Sequence, residues 1–294
     1  MVAEVSRRRF FAWAGAGVAV AAAFRAPNPA SAAVTVRIRP EVKTLKAIEW
    51  DAYVNAVKAL HRASDDRYSR LVLEQYNNVT RGHGVPAYFP WHREYLHRFQ
   101  QELHLINPQV TVPYWDWTRD AAAPQDSVVL GNSMFGGKGA PKTGCVTTGQ
   151  FANWQATVPT EHCLIRTTDP SIGPLCSSKT VESVLTHSAS YDHLRQAVEG
   201  QVSSSFHTAI GGLHGDMSYM YSPNDPLYWS HIAFMDLLWA EWQARNPALA
   251  HTYDGGNGVS PSDNLLPFNV RVSDTFDTRS IRYSYAYPRW SGAA

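Results

Sequence analysis

From Trp91 to Leu105 apolar side chains recur at helical spacing, and a histidine stands among them on the apolar stripe. Tyr95, Leu96, Phe99 and Leu103 fall at +3, +4, +7 and +11 from His92, so the imidazole must share their inward face. A buried imidazole needs partners for both ring nitrogens. Hydrogen bonds to core neighbours satisfy that need, and so does a metal ion on one nitrogen. His83 lies nine residues earlier in a Gly-rich entry loop. A second group, His207, His214 and His231, follows late in the chain. Histidines presented inward from antiparallel helices are a common way to build a metal site in a bundle.

Around this helix the pattern is mostly helical. Leu45, Ile48, Ala52, Ala56, Val57 and Leu60 predict a helix over 44–63, and a second covers 66–76. Pro86 and Pro90 bracket a loop before the Trp91 helix, which Pro108 and Pro113 end. Residues 120–177 are rich in Gly, Pro, Thr and Ser and read as a long irregular excursion. That excursion holds all three cysteines, Cys145, Cys163 and Cys176; after export two of them pair and one stays free. Helical pattern returns at 178–200, at Phe206–Ile210 and at Asp225–Arg245, and short strands are expected near 270–272 and 281–287. No repeat of 20–50 residues and no linker divides the chain. The expectation is a mainly α protein: an antiparallel four-helix core with long loops and short terminal β-strands, as one domain over 33–294.

Residues 1–32 read as a leader. Arg7-Arg8-Arg9-Phe10 precedes an apolar run from Ala12 to Phe24, and Ala30-Ser31-Ala32 is an A-x-A cleavage pattern. The paired arginines point to twin-arginine export and a secreted or periplasmic protein. The apolar run is short of the ~20 residues that span a bilayer, and no later segment could span one. The 294-residue chain has a formal net charge of +1, and four of its arginines lie in the leader. Such a balance lacks the basic field of a nucleic-acid binder. Twin-arginine export carries folded, often cofactor-loaded proteins, so the export machinery or a metallochaperone is an expected partner.

Local motifs then narrow the class. Gly82-His83-Gly84, Phe89-Pro90-Trp91-His92-Arg93-Glu94-Tyr95-Leu96 and Pro113-Tyr114-Trp115-Asp116-Trp117 resemble the first copper half-site of tyrosinases and haemocyanins. His207 with Ile210-Gly211-Gly212, Ser222-Pro223-Asn224-Asp225-Pro226, Asp236 and Leu238-Trp239 resemble the second. Glu199-Gly200 resembles the segment before it, and Asp277-Thr278-Arg279 with Tyr283-Ser284-Tyr285 the end of the domain. The resemblance implies a type-3 copper fold in which six histidines hold two coppers that oxidise phenols. It also implies that Asp225, Asp236 and His231 stand behind the metal positions and that Glu199 orients a water. Asp225 serves equally as a helix cap, Asp-Pro being a good helix opener.

Three of the six ligand positions depart from the family. His83, His92 and His207 remain, whereas Gln75, Ser203 and Ile232 stand where the other three histidines are expected. Ile232 extends the stripe Tyr228, Met235, Trp239 and Trp242, with His231 about 100° away around the helix. Neutral oxygens from Gln75 or Ser203 are poor ligands for copper(I). Three imidazoles and an open position suit one ion, copper or zinc, and make a dicopper centre doubtful. The expected function is therefore an exported enzyme acting on a small phenolic or related aromatic molecule through a reduced, His-only site, single-metal or metal-free. His207, Glu199 and His214 are its candidate catalytic groups. The alternatives are a dicopper phenol, o-aminophenol or catechol oxidase and a non-catalytic homologue.

Overall fold

Helix α1 (Ala47–Arg62) follows a three-residue strand, β1 (Arg37–Arg39), and a 3-10 turn. Helix α2 (Arg67–Asn77) is opened by Asp66, whose carboxylate accepts the Ser69 N–H. A single helical turn, α3 (Val79–Gly82), leads to α4 (Tyr88–Ile106). After a long excursion come α5 (Ser178–His187), α6 (Tyr191–Ala197) and α7 (Ser204–Gly211). Helix α8 (Leu227–Arg245) completes the set. The core is α2, α4, the α6–α7 rod and α8, as expected of a mainly α, antiparallel four-helix fold. This computed structural model describes residues 36–285 apart from Pro170 and Ile172, and these belong to one compact unit. The leader-like segment 1–32 lies outside the described residues. Among the described residues no helix is long and apolar enough to cross a membrane.

Three expectations need correction. Helix α4 starts at Tyr88, so Pro90 sits inside its first turn and not in the preceding loop. The first four N–H groups of a helix have no intrahelical acceptor, so a proline there removes nothing. The helical stretch expected over 178–200 is interrupted at Ser188–Ser190, where the Ser190 hydroxyl caps α6 by accepting the His193 N–H. It then passes into a π-helical segment, Val198–Ser203, before α7. The terminal strand β6 (Tyr283–Tyr285) is shorter than expected, and its partner is the unanticipated β1, aligned parallel with Arg37 opposite Tyr283. Between the two ends lie β2 (Gln155–Ala156) with β3 (His162–Cys163), and β4 (Asn264–Leu265) with β5 (Val270–Arg271). A Cys145–Cys163 disulfide pins the excursion and leaves Cys176 as the free thiol.

Aromatic packing joins α4 to α8: Phe99 stacks on Trp229 with centroids 3.8 Å apart and planes 10° apart. The Tyr95 hydroxyl donates to the Leu71 carbonyl at 2.6 Å, tying α4 to α2. Every residue of α8 from Leu227 to Gln243 is buried, so this helix has no outward face. Two buried carboxylates hold it, Asp225 just before its start and Asp236 at its middle. Asp225 accepts from the Leu227 N–H and takes both Nε and Nη2 of Arg166. The cap and the ion pair coexist in it. Asp236 accepts Arg93 Nε at 2.5 Å and lies 3.5 Å from Arg39 Nη1. It also accepts the hydroxyls of Tyr283 and Tyr285. One carboxylate thus gathers β1, α4, α8 and β6. The terminal tyrosines are buried, as expected of packing residues, and are also hydrogen-bonded.

Arg93 and Arg39 are fully buried. Asp236→Asn would leave their charge uncompensated, and such losses are worth about 3–5 kcal/mol. Burial works against the Asp236 carboxylate, but Arg93 and Arg39 hold it below the usual carboxylate range. Its stabilising contribution is therefore complete at neutral pH and is lost as pH falls through that depressed value. Urea titrations should show the neutral-pH loss in Asp236→Asn. They should also show a shallower acid limb than that of the unaltered protein.

Candidate functional site

A cleft of about 300 Å³ opens between α2, α4 and the α6–α7 rod. Its lining includes His83, Tyr88, Glu199, Ser203 and His207, with Gln75 and Ser222 at one wall. The π-helical segment carries Glu199 and Ser203, and His207 follows one turn later on α7. Insertion of a π turn is a recurrent feature of functional helices, and no spacing in the sequence announces it.

Each retained histidine is held by its Nδ1. His92 Nδ1 lies 2.8 Å from the Tyr88 carbonyl, and His207 Nδ1 lies 2.6 Å from the Met217 carbonyl. A carbonyl only accepts, so both Nδ1 atoms carry the proton and both Nε2 atoms are bare. His83 Nδ1 faces Glu199 Oε1 at 3.5 Å, which leads to the same tautomer. His83 Nε2 and His92 Nε2 are buried without a protein partner, and the two rings stand 4.7 Å apart at 76°. Burial and the neighbouring imidazoles push His92 well below its usual value. Burial likewise pushes His207 down to about 4. Although burial works against its charge, Glu199 is held low by His83, the Gly84 N–H at 2.7 Å and Arg195 at 3.2 Å.

Met217 reaches His207 because the chain doubles back at Gly211-Gly212. Gly212 has φ +60, and a Cβ there would sit 2.3 Å from the Thr167 carbonyl oxygen. At Gly211 a Cβ would lie 2.1 Å from Ser218 Oγ. The same reversal carries His214 outward: it is exposed and does not line the cleft, so the structure does not bring this candidate to the other histidines.

The three residues expected at departing ligand positions all have other surroundings. Gln75 accepts the Tyr228 hydroxyl and donates to the Met220 carbonyl at 3.3 Å and to Ser222 at 3.4 Å. Ile232 is buried and apolar. Ser203 Oγ lies 3.1 Å from His231 Nε2. His231 corrects the helical-wheel reading that turned it from the core. It is fully buried, stacks on Phe206 at 4.0 Å and stands 5.0 Å from His207. Trp117 donates its indole N–H to His231 Nδ1 at 3.2 Å. An indole N–H cannot accept, so His231 Nδ1 is the acceptor and Nε2 carries the proton, which it gives to Ser203. Burial and the nearby His207 and His92 push His231 well below its usual value, which keeps it neutral. The sequence carried no sign of the Trp117 bond, because nothing in the spacing relates residues 117 and 231.

This donor set does not fit two coppers within six imidazoles. Two of its members, His83 Nε2 and His92 Nε2, are buried lone pairs without a protein partner, the kind of donor an ion takes. Among the described residues no three His, Cys, Asp or Glu side chains are gathered closely enough to hold an ion as they stand. A third ligand would have to come from His207 or from the bound molecule.

Residues 54–245 match the family described as the common central domain of tyrosinase. The tyrosinase of Streptomyces antibioticus is 31% identical over 79% of this chain and 93% of its own length. That of Streptomyces glaucescens is 32% identical over 79% and 92%. A polyphenol oxidase from Thermothelomyces thermophila superposes with a TM-score of 0.70 at 24% identity, covering 86% of this chain and 89% of its own. The chain belongs to the tyrosinase family, the group of copper-binding oxidoreductases.

The depressed histidines set a pH dependence. Unfolded, these imidazoles bind protons below about pH 6.5; folded, His207 does so only near 4. Between those values the unfolded chain holds more protons, so stability rises with pH across that window and falls on acidification through it. Denaturation midpoints measured from pH 4.5 to 7 should rise in the unaltered protein and rise less steeply in His207→Gln, in which His92 and His231 keep their share.

Proposed function

We propose that this protein is an exported enzyme of the tyrosinase family acting on a small phenolic or related aromatic molecule through a reduced, His-only site. It does not use a six-histidine dicopper centre. The observation that carries this reading is the Trp117–His231–Ser203 chain. It occupies one lost ligand position with a hydroxyl and caps the neighbouring imidazole with a proton, while the Gln75 amide oxygen accepts the Tyr228 hydroxyl and Ile232 has no donor atom.

His83 and His92 would hold a single copper or zinc, with His207 as the third imidazole. Such an ion, when bound, supplies Lewis acidity that polarises a carbonyl or lowers the pKa of a hydroxyl or water. Glu199 fixes the His83 ring by its nearby carboxylate. His207 Nε2 faces the cleft as a free base at neutral pH, available to take a proton from a substrate hydroxyl. Residues 1–32, with Arg7-Arg8 and Ala30-Ser31-Ala32, support twin-arginine export to a secreted or periplasmic location.

Purified protein loaded with Cu(II) or Zn(II), and assayed by elemental analysis and catechol oxidation, tests this. One ion per chain, lost in His83→Ala and in His92→Ala, with no quinone formed, is the expected result. Two coppers per chain with quinone formation would establish the ordinary dicopper oxidase instead. Neither metal nor aromatic-ligand binding would establish a non-catalytic homologue.

A further inference from the structure

Two hydroxyls in the cleft, Tyr88 Oη and Ser203 Oγ, are close neighbours, and at most one of their two protons is received by the other. Ser203 Oγ accepts from His231 Nε2–H, so its own proton is not held by that imidazole and is free to be offered elsewhere. This also removes the most obvious alternative, an activated serine. A serine nucleophile needs an imidazole nitrogen that accepts its proton, and here the indole of Trp117 has locked the opposite tautomer. Tyr88 Oη is buried, lines the same cleft and has no hydrogen-bond partner beyond that serine. Ser203 lies near enough to oppose the rise that burial imposes on the phenol, and Glu199 adds to that rise. A buried hydroxyl left without a partner costs about 1–3 kcal/mol. Both residues are nearly inaccessible, at 2% and 4% exposure, so no bulk water relieves them.

We propose that Tyr88 and Ser203 form a two-hydroxyl cradle that receives the oxyanion of an aromatic ligand, with His83 Nε2 and His92 Nε2 at its side. The inference rests on the reading of the cleft as an aromatic-binding site and names how that site selects its ligand. Two convergent O–H donors favour an ionised oxygen over its neutral form, because hydrogen bonds to a charged acceptor are about twice as strong. The bare imidazole nitrogens have only lone pairs, so they cannot stabilise the anion unaided. The hydroxyls supply the protons that the three lost histidines do not. Ser203 and Tyr88 are positioning and selectivity residues, and Trp117 acts through His231 to keep the serine proton available.

The probe is 4-nitrophenol, whose anion absorbs in the visible while its neutral form does not. It is titrated into the full-length protein with and without a chelator at a pH below its own pKa. The expected result is growth of the visible band on binding, retained in chelator. Tyr88→Phe and Ser203→Ala should each weaken binding roughly 10- to 100-fold, the range for loss of one hydrogen bond to a charged group. Each should also diminish the preference for the anion, which a merely structural role would leave alone. Thermal midpoints report folding, and Ser203→Ala alone decides the matter if Tyr88→Phe does not fold. Competition by 4-nitrobenzoate tells a carboxylate ligand from a phenolate, and either satisfies the cradle. Unchanged anion binding in both folded variants, with loss only in His83→Ala, would overturn the cradle and leave the aromatic site standing. Failure of the unaltered protein to bind either probe would overturn both.

Discussion

An indole nitrogen can only donate. That constraint at Trp117 decides the tautomer of His231, the orientation of the Ser203 hydroxyl and the chemistry of half the cleft. Had an acceptor stood there, His231 would carry its proton on Nδ1 and present Nε2 as a base or a ligand. With a donor there, the imidazole turns its proton outward and ceases to be available to a metal. At the other three histidines, backbone carbonyls at Tyr88 and Met217 and the Glu199 carboxylate play the reverse part. They accept from Nδ1 and leave three Nε2 lone pairs bare. The cleft therefore holds two kinds of group: imidazole lone pairs on His83, His92 and His207, and hydroxyl hydrogens on Tyr88 and Ser203.

The scaffold that holds this asymmetry depends on two buried carboxylates of α8. Asp236 collects Arg93, Arg39, Tyr283 and Tyr285, so the helix that carries His92 and the helix that carries His231 are joined through one residue. Arg93 also lies over Trp239 at 3.7 Å, a cation–π contact within the same cluster. Asp225 fixes the start of α8 against Arg166 from the long excursion, which the Cys145–Cys163 bridge constrains. An ion pair buried this deeply is weak evidence for net stability, since an apolar pair of the same shape can do as well. Its consequence here is geometric: four segments distant in sequence meet at one carboxylate.

Much of this was legible in the sequence, for physical reasons. Periodicity identifies α1, α2 and α4 because each has one apolar stripe, and it places His92 on the inward face because the stripe includes it. It fails for α8, which is buried all round, and so misdirects His231. The π-helical turn at Val198–Ser203 has no compositional mark, and the parallel pairing of β1 with β6 joins the two ends of the domain, beyond any local pattern. Short motifs identified the family and the three retained histidines. They place Gln75, Ser203 and Ile232 at expected ligand positions but do not say what those residues touch, since hydrogen-bond partners such as Met220, Tyr228 and Trp117 are set by the tertiary fold. His214 illustrates the opposite limit: proximity to His207 in sequence puts it on a reversing turn that points away.

The most direct measurement is the protonation pattern of the ring nitrogens, read by long-range nitrogen–proton correlation NMR on histidine-labelled protein at neutral pH. The account predicts that His83, His92 and His207 carry the proton on Nδ1 and that His231 carries it on Nε2, with only the first three responding when zinc is added. A His231 protonated on Nδ1, or one whose Nε2 resonance shifts on metal binding, would contradict it.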